Sequence, residues 1–140
     1  GWAREAGIMV NGFFMLGLPY ETRESMERTI DFALEIDPHI AQFHITIPFP
    51  GTPLYDLIAA EGRFLVPTEG GVLSDYFKTD VLFEFGDLKK EDVIEYTKKA
   101  YRRFYLRPKK ILELITSPRS LTEVRWYLDA AVQYGKNAFL

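Results

Sequence analysis

The sequence of 140 residues contains no cysteine. That excludes a disulfide framework, a thiolate metal site and an iron–sulfur cluster held by this chain alone. It leaves the redox compartment open, because an absence of cysteine fits either side of a membrane. There are only two histidines, His39 and His44, too few for a self-contained zinc site. No apolar run approaches the roughly 18 residues that span a bilayer, and no basic stretch followed by an apolar core opens the sequence, so neither a membrane span nor a signal peptide is expected. A glycine-rich phosphate loop is also missing, which weakens the case for a phosphate-binding barrel enzyme. Aromatic residues, in contrast, are plentiful. Eleven Phe, eight Tyr and two Trp in a 47% hydrophobic composition supply core material for one domain and argue against disorder.

Charge divides the chain. Residues 1–88 carry 14 acids and 5 bases, net −9, and residues 89–140 carry 6 acids and 12 bases, net +6, which together give −3. Seven of the bases fall between Lys98 and Lys110 with no acid among them. Tyr101, Phe104 and Tyr105 in this run could stack on nucleic-acid bases. At helical spacing, however, they share the apolar side, so nucleic acid is disfavoured and docking onto an acidic surface such as residues 1–88 is expected. Gly1 to Gly7 reads as the last turns of a helix, with Gly7 at the left-handed position after the cap. With no initiator Met, this is expected of a segment from a longer protein, a processed start being the alternative.

Periodicity orders the rest. Ile8 to Leu16 is apolar apart from Asn11 and lies between Gly7 and Gly17, the pattern of a parallel strand covered on both faces. Thr22 is the expected N-cap of a helix with Glu24 in its first turn, an apolar face of Met26, Ile30, Ala33 and Leu34, and a stop at Asp37-Pro38. A second strand is expected from Ile40 to Ile47, with Phe43, Ile45 and Ile47 on one face and Gln42, His44 and Thr46 on the other. Strand, helix and strand within about 40 residues make a βαβ unit, whose crossover rule makes the strands parallel. Thr52 and Pro53 open a short helix closed by Gly62. A strand at Val81 to Phe85 and a turn at Gly70-Gly71 are weaker signals. From Lys89 a helix buries Val93, Thr97, Ala100, Tyr101 and Phe104 and breaks at Arg107-Pro108. A second helix is expected from Pro108 to Thr116, and a third after Ser117-Pro118, with Ser120 and Glu123 at capping-box spacing.

Parallel sheets place ligands beyond the carboxyl ends of their strands, here the loops at residues 17–22 and 48–52. Two phrases in these regions carry a resemblance. Gly7-Ile8-x-Val10-x-Gly12-Phe13-x-x-x-Gly17-Leu18-Pro19-x-Glu21-Thr22, followed after a helix by Pro48-x-Pro50-Gly51-Thr52-Pro53-Leu54-Tyr55, resembles the last two strands of the six-stranded partial (βα) barrel of radical S-adenosylmethionine enzymes. Phe104-Tyr105-x-Arg107-Pro108 after a basic helix resembles the C-terminal region of the cobalamin-binding subgroup, which includes magnesium-protoporphyrin cyclase-like and hopanoid-associated proteins. The likeness is close over residues 4–62 and loose over 89–115. It implies an α/β fold: residues 1–62 as the last two βα units of the barrel, 63–88 as an irregular or short-strand connection, and 89–140 as a helical C-terminal region.

The resemblance also implies a cytoplasmic enzyme using S-adenosylmethionine and a 4Fe–4S cluster, with cobalamin in a further N-terminal domain and a small-molecule or lipid-like substrate. The cluster's three cysteines and the glycine-rich motif of the second strand are absent here, so the chain is not expected to catalyse alone. Its first partner would be the rest of the parent chain. Tyr20 stands where the family has Gly, which predicts a different turn before Glu21.

By the same resemblance, Gly12, Leu16, Gly17, Leu18, Pro19 and Glu21 would bind the cofactor, with Leu16 to Pro19 beside its adenine. Read as residues alone, Leu16-Gly17-Leu18-Pro19 is an ordinary strand-to-helix turn and Glu21 a favourable acid beside a helix N-terminus. Asn11, Gln42, His44 and Thr46 are polar groups on an inward strand face. Such groups are costly unless a network, water or a ligand satisfies them, so they are the candidate substrate-facing residues. His44 could serve in proton transfer, whereas His39 reads as a surface residue. Pro50-Gly51-Thr52 at a helix N-terminus could meet an anion, though a plain cap explains it. The alternative function is a non-catalytic α/β module that binds a partner protein through its charge-split surface. An isolated chain with an unpaired strand edge is also expected to self-associate.

Overall fold

The structure is a computed structural model, and it describes residues 2–66 and 81–116. The Gly70-Gly71 turn and the third C-terminal helix expected from sequence lie outside the described residues. A short helix α1 (Trp2–Glu5) ends at Gly7, whose φ of +70° lets Ile8 N–H donate to Ala3 C=O at 2.8 Å. This bond is the long closing bond of a Schellman motif.

Strand β1 (Asn11–Leu16) and strand β2 (Ile40–Ile45) pair in parallel, in register from Asn11 opposite Ile40 to Leu16 opposite Ile45. Helix α2 (Arg23–Ile36) connects them, so the βαβ unit is present. Its ends show why it forms where it does. Thr22 Oγ1 accepts from Ser25 N–H at 3.1 Å while Ser25 Oγ accepts from Thr22 N–H at 2.9 Å, a reciprocal cap with Ser rather than Glu at the third position. Asp37 closes the helix in the left-handed conformation, φ 42°, and Pro38 prevents continuation. Met26, Ile30 and Ala33 are buried as their spacing predicts.

Helix α3 (Pro53–Glu61) starts under the Thr52 cap with Pro53 in its first turn. It packs beside a small antiparallel pair, β3 (Arg63–Phe64) with β4 (Phe83–Glu84), around Ile58, Leu82, Phe83 and Phe85. Gly62 caps α3 in an extended conformation, φ −107°, and its close neighbours, the Ile58 and Glu84 carbonyls, leave no space for a side chain.

Helix α4 (Lys90–Tyr105) buries the five residues named from periodicity, Val93, Thr97, Ala100, Tyr101 and Phe104. Helix α5 (Pro108–Thr116) follows with Pro108 as its first residue. Together α2 and α4 bury Phe14, Leu16, Phe43, Met26, Ile30 and Phe104 in the main core. Each such side chain contributes about 1.5–3 kcal/mol when fully buried.

Two expectations are corrected. The strand at Ile8 to Leu16 is not covered on both faces. Phe13 is 65% and Met15 49% exposed, because α2 and α4 both lie on the opposite side of the sheet. His39 is not simply on the surface. It is half-buried, and its Nδ1 accepts from Val10 N–H at 3.0 Å, tying the entry of β1 to that of β2.

The basic run docks on the acidic first half, as its charge predicts. Lys99 and Arg103 pair with Glu27 and Arg103 also with Asp31, while Arg107, Lys109 and Lys110 converge on Asp37. Five of its seven bases thus bind acids of the first half of this same chain. Lys110 is only 1% exposed; its Nζ also donates to Pro38 C=O and Glu113, and it lies over the Phe104 ring.

Candidate functional site

The loop after β1 is built around Glu21. Its Oε2 accepts from Gly17 N–H at 2.6 Å and from Leu18 N–H at 3.0 Å, so the carboxylate folds back and closes the turn that carries it. Partial burial raises the Glu21 carboxyl above its ordinary range, and the two backbone donors pull the other way. The second oxygen, Oε1, stays accessible.

Gly17 has two reasons to be glycine: its φ is +77°, and a Cβ would lie 2.9 Å from Val93 Cγ1 of α4. Tyr20 stands before Glu21 in this turn. It holds φ 61°, the left-handed conformation that a glycine would supply. Its ring packs edge-on against Phe85, and its hydroxyl donates to Glu61 at 2.8 Å, a bond that raises the phenol above its usual range.

Beside this loop opens a cleft of about 700 Å³ whose walls include Tyr20, Glu21, Glu24, Glu61, Phe85 and Asp87. Among the described residues the one base in its lining, Arg23, is held by Asp92 through two bonds of 2.8 and 2.9 Å. The cleft therefore carries a negative field suited to an amine or other cation and unsuited to phosphate. Glu61, Phe85 and Asp87 are the lining residues that sequence reasoning did not find.

The second candidate region is the bare sheet face. Asn11, Phe13 and Met15 project from it on β1, and Gln42 and His44 on β2, with Phe13 beside Gln42 and Met15 beside His44. The Phe13 ring stacks on the His44 imidazole at 5.8 Å between centroids. His44 Nε2 and Gln42 Oε1 are 3.2 Å apart, so with Gln42 in this orientation Nε2 carries the proton and Nδ1 is the open acceptor.

Three named site residues stand elsewhere. Thr46 lies past the last strand pair, fully buried, with its hydroxyl donating to Leu16 C=O at 3.0 Å. Leu16 is fully buried in the main core. Gly12 is on the covered side, where a Cβ would be 3.1 Å from Pro38 Cγ and 2.9 Å from the Phe14 ring, so these two side chains limit the space there. Leu18 is 38% exposed and Pro19 half-buried, both beside the open mouth of the loop.

In the second loop Thr52 Oγ1 donates to Phe49 C=O at 2.7 Å and accepts from Tyr55 N–H at 3.3 Å. The plain cap accounts for it. Among the described residues, no group of three or more His, Asp and Glu side chains could hold a metal ion. None of the described helices is long and apolar enough to cross a membrane.

No family model matches the sequence. The chain is 35% identical over 111 residues to an uncharacterized methyltransferase of Pyrococcus horikoshii, an alignment covering 79% of this chain and 23% of that protein. It is 26% identical over 104 residues to the anaerobic magnesium-protoporphyrin IX monomethyl ester cyclase of Cereibacter sphaeroides, covering 74% of this chain and 16% of the cyclase. It is 25% identical over 120 residues to the bacteriochlorophyllide d C-8(2)-methyltransferase of Chlorobaculum tepidum, covering 81% and 27%. The chain spans about a quarter or less of the length of these relatives. It is an α/β unit with a small parallel sheet, similar over most of its own length to a segment of two methyltransferases and of a cyclase.

Proposed function

We propose that this chain is the C-terminal part of a radical S-adenosylmethionine enzyme that acts on an organic substrate. Residues 1–62 supply the last two βα units of its partial barrel, and α4 and α5 supply helical cover behind them. The observation that carries the reading is the one-sided sheet: helices cover one face, and the other presents Asn11, Gln42 and His44 among Phe13 and Met15. That is the face a barrel would turn toward its reactants. The segments of methyltransferases and a cyclase to which the chain is similar support the same reading.

The 4Fe–4S cluster does not fit these residues: there is no cysteine, and the described residues gather no other ligand set. Its ligands, and any cobalamin-binding domain, belong to the remainder of the enzyme. Held there and given one electron by the reduced cluster, S-adenosylmethionine would release methionine and would supply the chemistry of hydrogen-atom removal from an unreactive carbon. This chain's own residues bind and orient. Leu18 and Met15 offer apolar surface to a flat ring, and the free Oε1 of Glu21 accepts from an amine or hydroxyl. The amide of Gln42 and the imidazole of His44 fix polar groups of the substrate, and His44 Nδ1 is placed to hold a proton.

The test begins with the gene. The reading expects a Cys-x-x-x-Cys-x-x-Cys run upstream of Gly1, and a parent without one overturns it. In the full-length protein, loaded without oxygen and reduced, deoxyadenosine should form from S-adenosylmethionine. His44→Ala should lower substrate turnover at least tenfold while leaving chain folding intact.

A further inference from the structure

A parallel pair uses alternate residues of each strand for its ladder. Ile40 N–H donates to Val10 C=O at 3.2 Å and Thr46 N–H to Leu16 C=O at 3.0 Å. The even-numbered residues of β2 therefore face β1, and Ala41 and Phe43 turn their N–H and C=O groups to the far edge. Two phenols of α4 stand at that edge. Phe43 N–H donates to Tyr101 Oη at 3.1 Å, and Tyr101 O–H is 3.2 Å from Phe43 C=O. One helical turn on, Ala41 N–H donates to Tyr105 Oη at 3.1 Å, and Tyr105 O–H donates to Ala41 C=O at 2.9 Å.

The match of spacings makes this possible. Four residues of helix rise about 6 Å, and two residues of strand advance about 6.6 Å. Hydroxyls at i and i+4 of a helix thus meet peptide groups at j and j−2 of a strand running the opposite way. Each phenol accepts from the N–H and donates to the C=O of one residue, as a peptide of a neighbouring strand would. Burial alone would be served equally well by phenylalanine at both positions.

We propose that Tyr101 and Tyr105 act as a surrogate strand that terminates the sheet at β2. Two of the three outward residues of β2, Ala41 and Phe43, are closed by side chains, with Ile45 beyond them, so any sheet that includes this unit ends there and grows only past β1. The inference concerns the chain's own architecture and does not depend on the reaction proposed above. It also narrows the expected self-association, because one of the two strand edges is already satisfied.

Amide hydrogen exchange, read residue by residue by NMR on the 140-residue chain, tests this. In the unaltered chain the Ala41 and Phe43 amides should exchange as slowly as the ladder amides of Gln42 and His44. Tyr105→Phe should speed exchange at Ala41 about tenfold, and Tyr101→Phe should do the same at Phe43, the scale of one lost hydrogen bond. The Gln42 and His44 amides should change little in either variant. Unchanged rates at Ala41 and Phe43 would overturn the proposal, as would an equal rise at Gln42 and His44. Protection at Ala41 that increases with protein concentration would overturn it too, since the edge would then be taking a second chain. Should Tyr101→Phe fail to fold, Tyr105→Phe at a half-buried position decides the matter alone.

Discussion

Replacing Gly17 by alanine separates the fold's demand on this loop from any demand of a ligand. An L-residue held at φ +77° costs about 1–2 kcal/mol. The new Cβ would also press on Val93, 2.9 Å from Cγ1 and 3.3 Å from Cγ2. Val93 is buried, so the contact cannot be relieved by swinging out, and overpacking of this kind costs about 1–3 kcal/mol. The expected loss for Gly17→Ala is therefore about 2–5 kcal/mol. Gly51 is the internal control: its φ is +82°, but a Cβ there meets nothing within 4 Å. Gly51→Ala should cost only the backbone share, about 1–2 kcal/mol. Urea unfolding followed by circular dichroism measures both. In a Val93→Ala background the penalty of Gly17→Ala should fall to that of Gly51→Ala, because the obstructing methyls are gone. Equal losses for the two glycines in the unaltered background, or no coupling to Val93, would refute the packing argument. The glycine would then have to be explained by what binds at the loop.

Three further outcomes follow from the side-chain geometry. Lys109 and Arg107, with Lys110 close by, hold the Asp37 carboxyl well below its usual range despite partial burial. A depressed folded-state value means the stabilisation is complete above about pH 4 and is lost as acid protonates the folded state. Asp37→Asn, which tolerates the left-handed cap, should flatten the fall of the urea midpoint below pH 4. Lys110→Ala should destabilise by about 1–3 kcal/mol in thermal or urea unfolding, because it leaves the Pro38 carbonyl and Glu113 without their buried donor while Arg107 and Lys109 still hold Asp37. For Glu21, whose carboxyl is raised, Gln can still accept from Gly17 and Leu18 while Ala cannot. Glu21→Gln should stay close to the original stability at neutral pH and Glu21→Ala should lose about 1–3 kcal/mol in the same unfolding assay.

What could be read in advance was local. Thr22, Thr52 and Pro53 announce helix starts because capping is satisfied within four residues. The buried faces of α2 and α4 follow from a 3.6-residue period and needed no partner to be identified. Faces and edges are different. Whether a strand is covered on both sides depends on how many layers the chain supplies, and Ile8 to Leu16 looks alike with one or two. The alternation through Gln42, His44 and Thr46 was extended one residue beyond the last pair at Ile45, where the chain leaves the strand and Thr46 turns to the Leu16 carbonyl. Glu21 reads as an acid beside a helix N-terminus or a cofactor contact, although its spacing of three and four residues from Leu18 and Gly17 is the signal for a carboxylate that closes its own loop. The cleft beside it draws Glu61, Phe85 and Asp87 from 40 or more residues away, and no periodicity connects them.

The pairing of acidic first half with basic second half has a kinetic meaning. Glu27, Asp31 and Asp37 sit on or at the end of α2, and their cations arrive on helices about 70 residues later in the chain. Opposite signs attract the late helices to the strand–helix–strand unit over distances longer than any contact. That attraction fades as the ionic atmosphere tightens. Added salt should therefore slow refolding more than it hastens unfolding, placing this charge segregation in the assembly of the native state as well as in its upkeep.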